Sequence, residues 1–189
     1  LRMHLLSLIA SKFIFDADSM DSFFAKTLYA QQFQSMDTLH RMLRGLIKEL
    51  YQLEFIDGED ERFWTTPIGQ RVAELYLDPL SAHALITKLK RADLSVFGAL
   101  YSLTDTTELR PYVNVGRKNE AVIWEEFHSR IKEMPIENEE AIFTDQQLLE
   151  KFQTARFLES WINEMQEQEI LDTFNIAPGL IRNKLSKAD

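Results

Sequence analysis

Three cations fall close together near the end of the chain: Arg182, Lys184 and Lys187, set against one acid, Asp189. Cations at this density on a helix can hold phosphate, and a positive groove with flat stacking groups is enough to hold a single strand of nucleic acid without reading its sequence. A second set, Arg41, Arg44 and Lys48, recurs at intervals of three and four, so the three side chains share one helical face. Lys88, Lys90 and Arg91 form a third cluster at the C-terminal end of a helical pattern, where cations also suit the helix dipole. Arg110, Arg117 and Lys118 bracket a loop. Each of these sets also reads as an ordinary solvated face, because short charge patterns carry little information.

Other chemistry is missing from the sequence. There is no GxxxxGK[ST] phosphate loop, and Val115–Asn119 (VGRKN) offers one Gly before basic residues, too little to cradle a phosphate. His4, His40, His83 and His128 lie far apart and none has metal-ligand spacing. Glu125-Glu126 and Glu139-Glu140 are adjacent carboxylates, which point in different directions on a helix. The absence of Cys excludes disulfides, thiolate zinc sites and Cys nucleophiles and fits an intracellular, cytoplasmic chain. No catalytic residue and no metal site is expected, and the reading for this chain is non-enzymatic. The 189 residues, 45% hydrophobic, suit one or two domains. No apolar run approaches a membrane span. The net charge of −9 argues against a dedicated nucleic-acid binder, so any such contact must be local.

The elements that would position these residues are mostly helical. Residues 2–12 read as a helix burying Leu5, Leu8 and Ile9. A second helix, capped by Asp18 or Ser19, buries Phe23, Phe24 and Leu28. A third runs to about Leu53 with Leu39, Leu43, Leu46, Ile47 and Leu50 as its apolar stripe, opposite Arg41, Arg44 and Lys48. Two β-prone pieces, Glu54–Ile56 and Phe63–Thr65, flank an acidic turn at Asp57-Gly58 and predict a hairpin. Three helices followed by a hairpin is the order of a winged helix, in which the third helix is the recognition helix. The helix PIGQRVAELYL follows. Asp78-Pro79 is the best boundary, after which nearly everything is helical, with a loop at TTELRPYVNVGR, a long helix NEAVIWEEFHSRIKEM and a linker PIENEE. Pro178 opens a last helix with Ile181, Leu185 and Ala188 at helical spacing. Trp64, Trp124 and Trp161 sit among apolar residues and are expected in the core. The fold class is mainly α: a winged helix of three helices plus a β-hairpin wing (residues 1–78), then a helical bundle (residues 79–189).

Trp64–Leu85 (WTTPIGQRVAELYLDPLSAHAL) resembles the end of the winged helix in superfamily 2 helicases of the Ski/Brr group. The LYLDPLS stretch is closer to archaeal DNA-repair helicases related to the helicase half of polymerase theta. LRMHLLSLI, FFAKTLYAQQ, ALYSLTDTTEL, the Trp-Ile of LESWINE and NIAPGLIR fit the same family, in order, over essentially the whole chain. The resemblance implies a parent that is an ATP-dependent 3′–5′ DNA helicase. Its ATP and Mg²⁺ would lie in RecA-like motor domains outside this chain. Here it implies a winged helix and the first part of a helical domain whose long ratchet helix lies against the bases of a single strand. The family pattern there, PGDLRR followed by a Trp, falls on Pro178 to Asn183, with Arg182 matched, Asn183 in place of the second Arg, and Leu180 or Ile181 in place of the Asp. The Trp would come directly after Asp189, seven residues and nearly two turns beyond Asn183 and so over it; the resemblance thus implies a fragment that begins after the motor and ends partway along the ratchet helix.

The candidate nucleic-acid-binding residues are thus Arg182, Asn183, Lys184 and Lys187. Arg41, Arg44 and Lys48 are candidates for nucleic-acid or motor-domain contact, since the family's winged helix packs mainly on the motor. Partners implied are single-stranded DNA, bound weakly, and the motor domains, with no membrane and a monomeric chain. Two other classes stand beside this: a winged-helix transcription regulator with a helical dimerisation or effector domain, and a protein–protein scaffold.

Overall fold

The computed structural model describes residues 1–32, 35–90, 94–136 and 146–188. It divides into two compact units, Leu1–His83 and Ala84–Asp189. The division falls inside a helix, five residues beyond the Asp78-Pro79 break.

In the first unit, α1 (Arg2–Ala10) buries Leu5, Leu6 and Ile9, with Leu8 only half-buried. The second helix, α2 (Ala17–Ala25), starts earlier than its sequence suggests. Asp16 accepts from Ser19 N at 2.8 Å while the Ser19 hydroxyl accepts from Asp16 N, a reciprocal capping box. These bonds, the Ser19 hydroxyl first, hold the Asp16 carboxyl below its ordinary range. Thr27 then recaps the chain into a short α3 (Leu28–Gln31). That break rotates Leu28 away, and it is 78% exposed instead of buried. The long α4 (Met36–Gln52) places Leu39, Leu43 and Leu50 in the core as its periodicity demands.

The wing is the antiparallel pair β1 (Ile56–Glu59) and β2 (Arg62–Thr65). Its turn is Asp60-Glu61, both at positive φ (51° and 64°), not the expected Asp57-Gly58. Gly58 serves another purpose: a Cβ there would collide with the Tyr51 hydroxyl and the Arg62 carbonyl. Glycine at this point admits the end of α4, and Asp60 and Glu61 supply the reversal. Asp16 extends the sheet by one antiparallel bridge to Arg62, with Phe63 N donating to Phe15 O at 2.9 Å. Next, α5 (Pro67–Glu74) opens with Thr66 accepting from Gly69 N and Pro67 at the first turn. Arg2 ties the unit together, bidentate to Glu49 at 2.8 and 3.1 Å and reaching Asp78 at 3.3 Å. The result is a winged helix. The helix containing the division is α6 (Pro79–Leu89).

The second unit is a helical bundle of α7 (Val96–Leu103), α8 (Glu120–Ser129), α9 (Gln146–Ile162), α10 (Glu167–Phe174) and α11 (Pro178–Ala188). The predicted long eighth helix stops at Arg130, and Ile131–Glu133 turn as 3₁₀. Phe97, Phe127 and Phe152 meet edge to face at 5.4 Å and anchor the core on α9. Arg130 lies 3.5 Å over the Phe97 ring and bonds Glu159 at 2.7 and 2.8 Å and Glu133 at 2.9 and 3.0 Å. Asp105 accepts from Lys88 and Lys151, each at 2.6 Å. The PIENEE linker from Glu137 onward, with Glu139-Glu140, lies outside the described residues, as does Arg91. No helix among the described residues is long and apolar enough to cross a membrane.

Candidate nucleic-acid interface

α11 is positioned from both ends. Asn175 closes α10 in the left-handed conformation (φ 49°, ψ 52°), which frees the chain to turn into Pro178. Along α11, Ile181 is buried, and Leu185 and Ala188 pack on the same core. Lys184 shares this buried stripe, three residues after Ile181 and four before Ala188. Its side chain is fully buried, and Nζ donates to the carbonyls of Leu109 and Pro111. A buried ammonium persists only when such acceptors replace its water. In this structure Lys184 is therefore an anchor between α11 and the segment before the loop, and its charge is not presented to solvent. The grouping of Lys184 with its neighbours as strand contacts is corrected on that ground. Helix periodicity contained the signal; counting charges obscured it.

Arg182 and Asn183 are exposed on the opposite face. With Gly179 and Ser186 they occupy positions i, i+3, i+4 and i+7, one outward stripe of small, polar and cationic groups. The Lys187 side chain and Asp189 lie outside the described residues.

Arg41, Arg44 and Lys48 are likewise exposed on α4, opposite its buried stripe. Arg41 makes long contacts of 3.4 Å to the Asp37 carbonyl and the Thr38 hydroxyl. Of the two acids on the helix, Asp37 and Glu49, the latter is already held by Arg2. The α4 cations and α11 belong to different units.

Lys88 is committed to Asp105. Burial of Asp105 opposes its charge, but the hydrogen bonds and charges of Lys151 and Lys88 outweigh that, and the carboxyl sits below its ordinary 3.8. Arg110, Arg117 and Lys118 are exposed around the loop before α8. The four His are separate: His4 bonds Tyr76 at 2.9 Å, His40 faces Asp21 at 3.7 Å, His83 lies edge-on to Phe55, and His128 stacks on Trp124. Of the tryptophans, Trp124 packs on the core. Trp64 on the wing and Trp161 at the end of α9 are 48% and 43% exposed, against the expectation of burial. A two-stranded wing has one face to bury, and Phe63 takes it; α9 has passed the core by Trp161.

Residues 97–189 match the family model for archaeal helicase domain 4. The whole chain aligns with ATP-dependent DNA helicase Hel308 of Methanocaldococcus jannaschii at 35% identity over 190 residues, 15% of that protein. It aligns with the protein of the same name from Pyrococcus horikoshii at 30% identity over 192 residues, 26% of its length. The Methanococcus vannielii protein of that name is 26% identical over 233 residues, 30% of its length. The chain therefore spans less than a third of each of these relatives. A winged helix followed by a helical bundle, the chain is similar along its entire length to archaeal Hel308-type helicases, and its residues 97–189 carry the match to archaeal helicase domain 4.

Proposed function

We propose that this chain couples an ATP-dependent 3′–5′ DNA helicase motor to its single strand, with α11 as the ratchet helix. The observation that supports this best is the division of labour along α11. Ile181 and Lys184 fix the helix to the bundle, while Arg182 and Asn183 stand outward on a face with no bulky side chain at Gly179 or Ser186. Such a face allows a strand to approach closely and to pass without sequence readout. Arg182 supplies phosphate charge, Asn183 a hydrogen bond to a base, and Lys187 a further charge. ATP and Mg²⁺ belong to RecA-like motor domains of the whole protein, against which the winged helix packs through the α4 face. The chain by itself is a monomer, located in the cytoplasm, that performs no catalysis. Repair of DNA is the process such a helicase would serve.

With two cations on the strand, the salt slope of binding should be about 1.4, from about 0.7 per phosphate contact. The dissociation constant should be about 100 μM at physiological salt, the weak end of nonspecific binding. Fluorescence anisotropy with a labelled single strand measures both. Arg182→Glu should abolish binding, whereas Arg41→Glu with Arg44→Glu should weaken it less. Tight, duplex-preferring binding that is lost with the α4 pair would replace this reading with that of a winged-helix duplex reader, which the exposed Arg41, Arg44 and Lys48 face favours.

A further inference from the structure

A cleft of about 450 Å³ lies in the second unit between the loop before α8 and the start of α11. That size is typical of a small-ligand site. Its lining contains no Asp or Glu, although the chain has 30. Instead it concentrates carboxamides. Six asparagines occur in the sequence, at 114, 119, 138, 163, 175 and 183. Asn114, Asn119 and Asn175 line this one cleft together with Gln153. Gln153 is 6% exposed, and its Oε1 accepts from Arg156 at 2.7 Å. Because an Arg can only donate, that bond fixes the amide orientation and leaves Nε2 as a donor in the cleft wall. No hydrogen bond from Gln153 Nε2 or from the three Asn side chains reaches a described residue.

The cleft is built, not incidental. Val113 and Val115 are buried, and Val113 N donates to Thr154 Oγ1 at 2.8 Å, which pins the loop to α9. The Lys184 anchor holds the carbonyls of Leu109 and Pro111 at the loop's other end. The three cations Arg110, Arg117 and Lys118 that bracket the loop are exposed. Leu180 lines the cleft from α11, and Asn183 stands one turn further along.

From this geometry we infer that the cleft is a nucleotide subsite that takes one unstacked base of a single strand crossing α11. Carboxamides carry a donor and an acceptor side by side, the pattern that pairs with base edges. Single strands are recognised by splaying bases out and bonding those edges, with an aromatic side chain against the ring. Of the two aromatic residues lining the cleft, Phe174 is buried and Tyr112 is the more accessible. Arg110 bonds the Tyr112 hydroxyl at 3.3 Å and lies 5.8 Å from its ring, and the exposed Arg117 and Lys118 would meet the flanking phosphates. Gln153 presents only its donor, whereas each of the three Asn carboxamides can turn either group to a base, so the subsite accepts different bases in turn. This inference rests on the reading that α11 contacts the strand.

The test is a two-dimensional ¹H–¹⁵N spectrum of the full chain titrated with a single-stranded oligonucleotide and, separately, with a strand of equal length lacking its bases. The side-chain amide signals of Asn114, Asn119, Asn175 and Gln153 should shift with the first strand and stay still with the second. Asn114→Ala combined with Asn119→Ala should weaken binding about tenfold, one contact of ~1.4 kcal/mol. Both side chains are exposed and Asn119 makes no cap bond, so the fold should survive. Equal shifts with the base-free strand, or wild-type affinity in the double variant while Arg182→Glu still abolishes binding, would overturn the subsite alone. Carboxamide shifts that persist with Arg182→Glu at unchanged affinity would sustain the subsite and remove the α11 reading.

Discussion

Lys184 offers the sharpest energetic prediction, because Arg182 two residues away supplies its control. Replacing Lys184 with Met keeps much of the apolar stem but removes the donor. The Leu109 carbonyl, in a residue that is 1% exposed, then loses its partner, while the exposed Pro111 carbonyl can recruit water. One orphaned buried acceptor costs about 1–3 kcal/mol. Lys184→Glu is worse: a carboxylate would face two carbonyl oxygens, and an uncompensated buried charge costs about 3–5 kcal/mol. Against a typical total of about 5–15 kcal/mol, that is enough to undock α11. Arg182→Glu, on the exposed face, should stay within about 0.5 kcal/mol. Urea titration followed by tryptophan fluorescence in a Trp64→Phe background reports the second unit alone, since Trp124 and Trp161 are the other two tryptophans. Wild-type stability in Lys184→Glu would show that the side chain lies in solvent, and the anchor argument would fail with it.

The remaining predictions are local. Asp105 is held below its ordinary 3.8 by Lys151 and Lys88, so its contribution is complete above pH 3.8 and lost as pH falls through the lower folded value. Asp105→Asn should therefore destabilise the second unit at neutral pH, with the gap to wild type closing only below pH 3.8 in thermal melts. Gly58→Ala should destabilise the winged helix by about 1–3 kcal/mol through its collision with Tyr51 and Arg62, whereas Gly45→Ala, which meets open space, should not destabilise it; paired melts decide. Residues 1–83 expressed alone should melt at a higher temperature than residues 1–78, because Ala82 is buried and the His83 ring packs edge-on to Phe55.

Much of this architecture can be read from periodicity. The α4 stripe, the order of helices and hairpin, and the Pro178 start of α11 all follow from spacing and caps, because burying one face is what those patterns do. The misreadings share a cause: a residue type with two physical uses. Asp57-Gly58 has the composition of a hairpin turn, but its glycine is spent on close approach to Tyr51. Lys184 counts as charge in composition but packs as an amphipathic stem with a satisfied tip. Thr27 looks like a mid-helix residue yet caps a new one, which turns Leu28 outward. The cleft at Asn114 was beyond sequence reasoning altogether, since Gln153 and Asn175 come from separate helices and meet the loop only through the fold.

The central claim, that a single strand runs along α11, is tested most directly by photo-cross-linking. A single-stranded oligonucleotide carrying 5-iodouracil at successive positions is irradiated with the full chain, and the adducts are located by peptide mass spectrometry. The account predicts adducts on the α11 peptide around Arg182 and Asn183 and on the loop around Tyr112, reduced by Arg182→Glu. Adducts confined to α4 around Arg41 and Arg44, unaffected by that change, would contradict it.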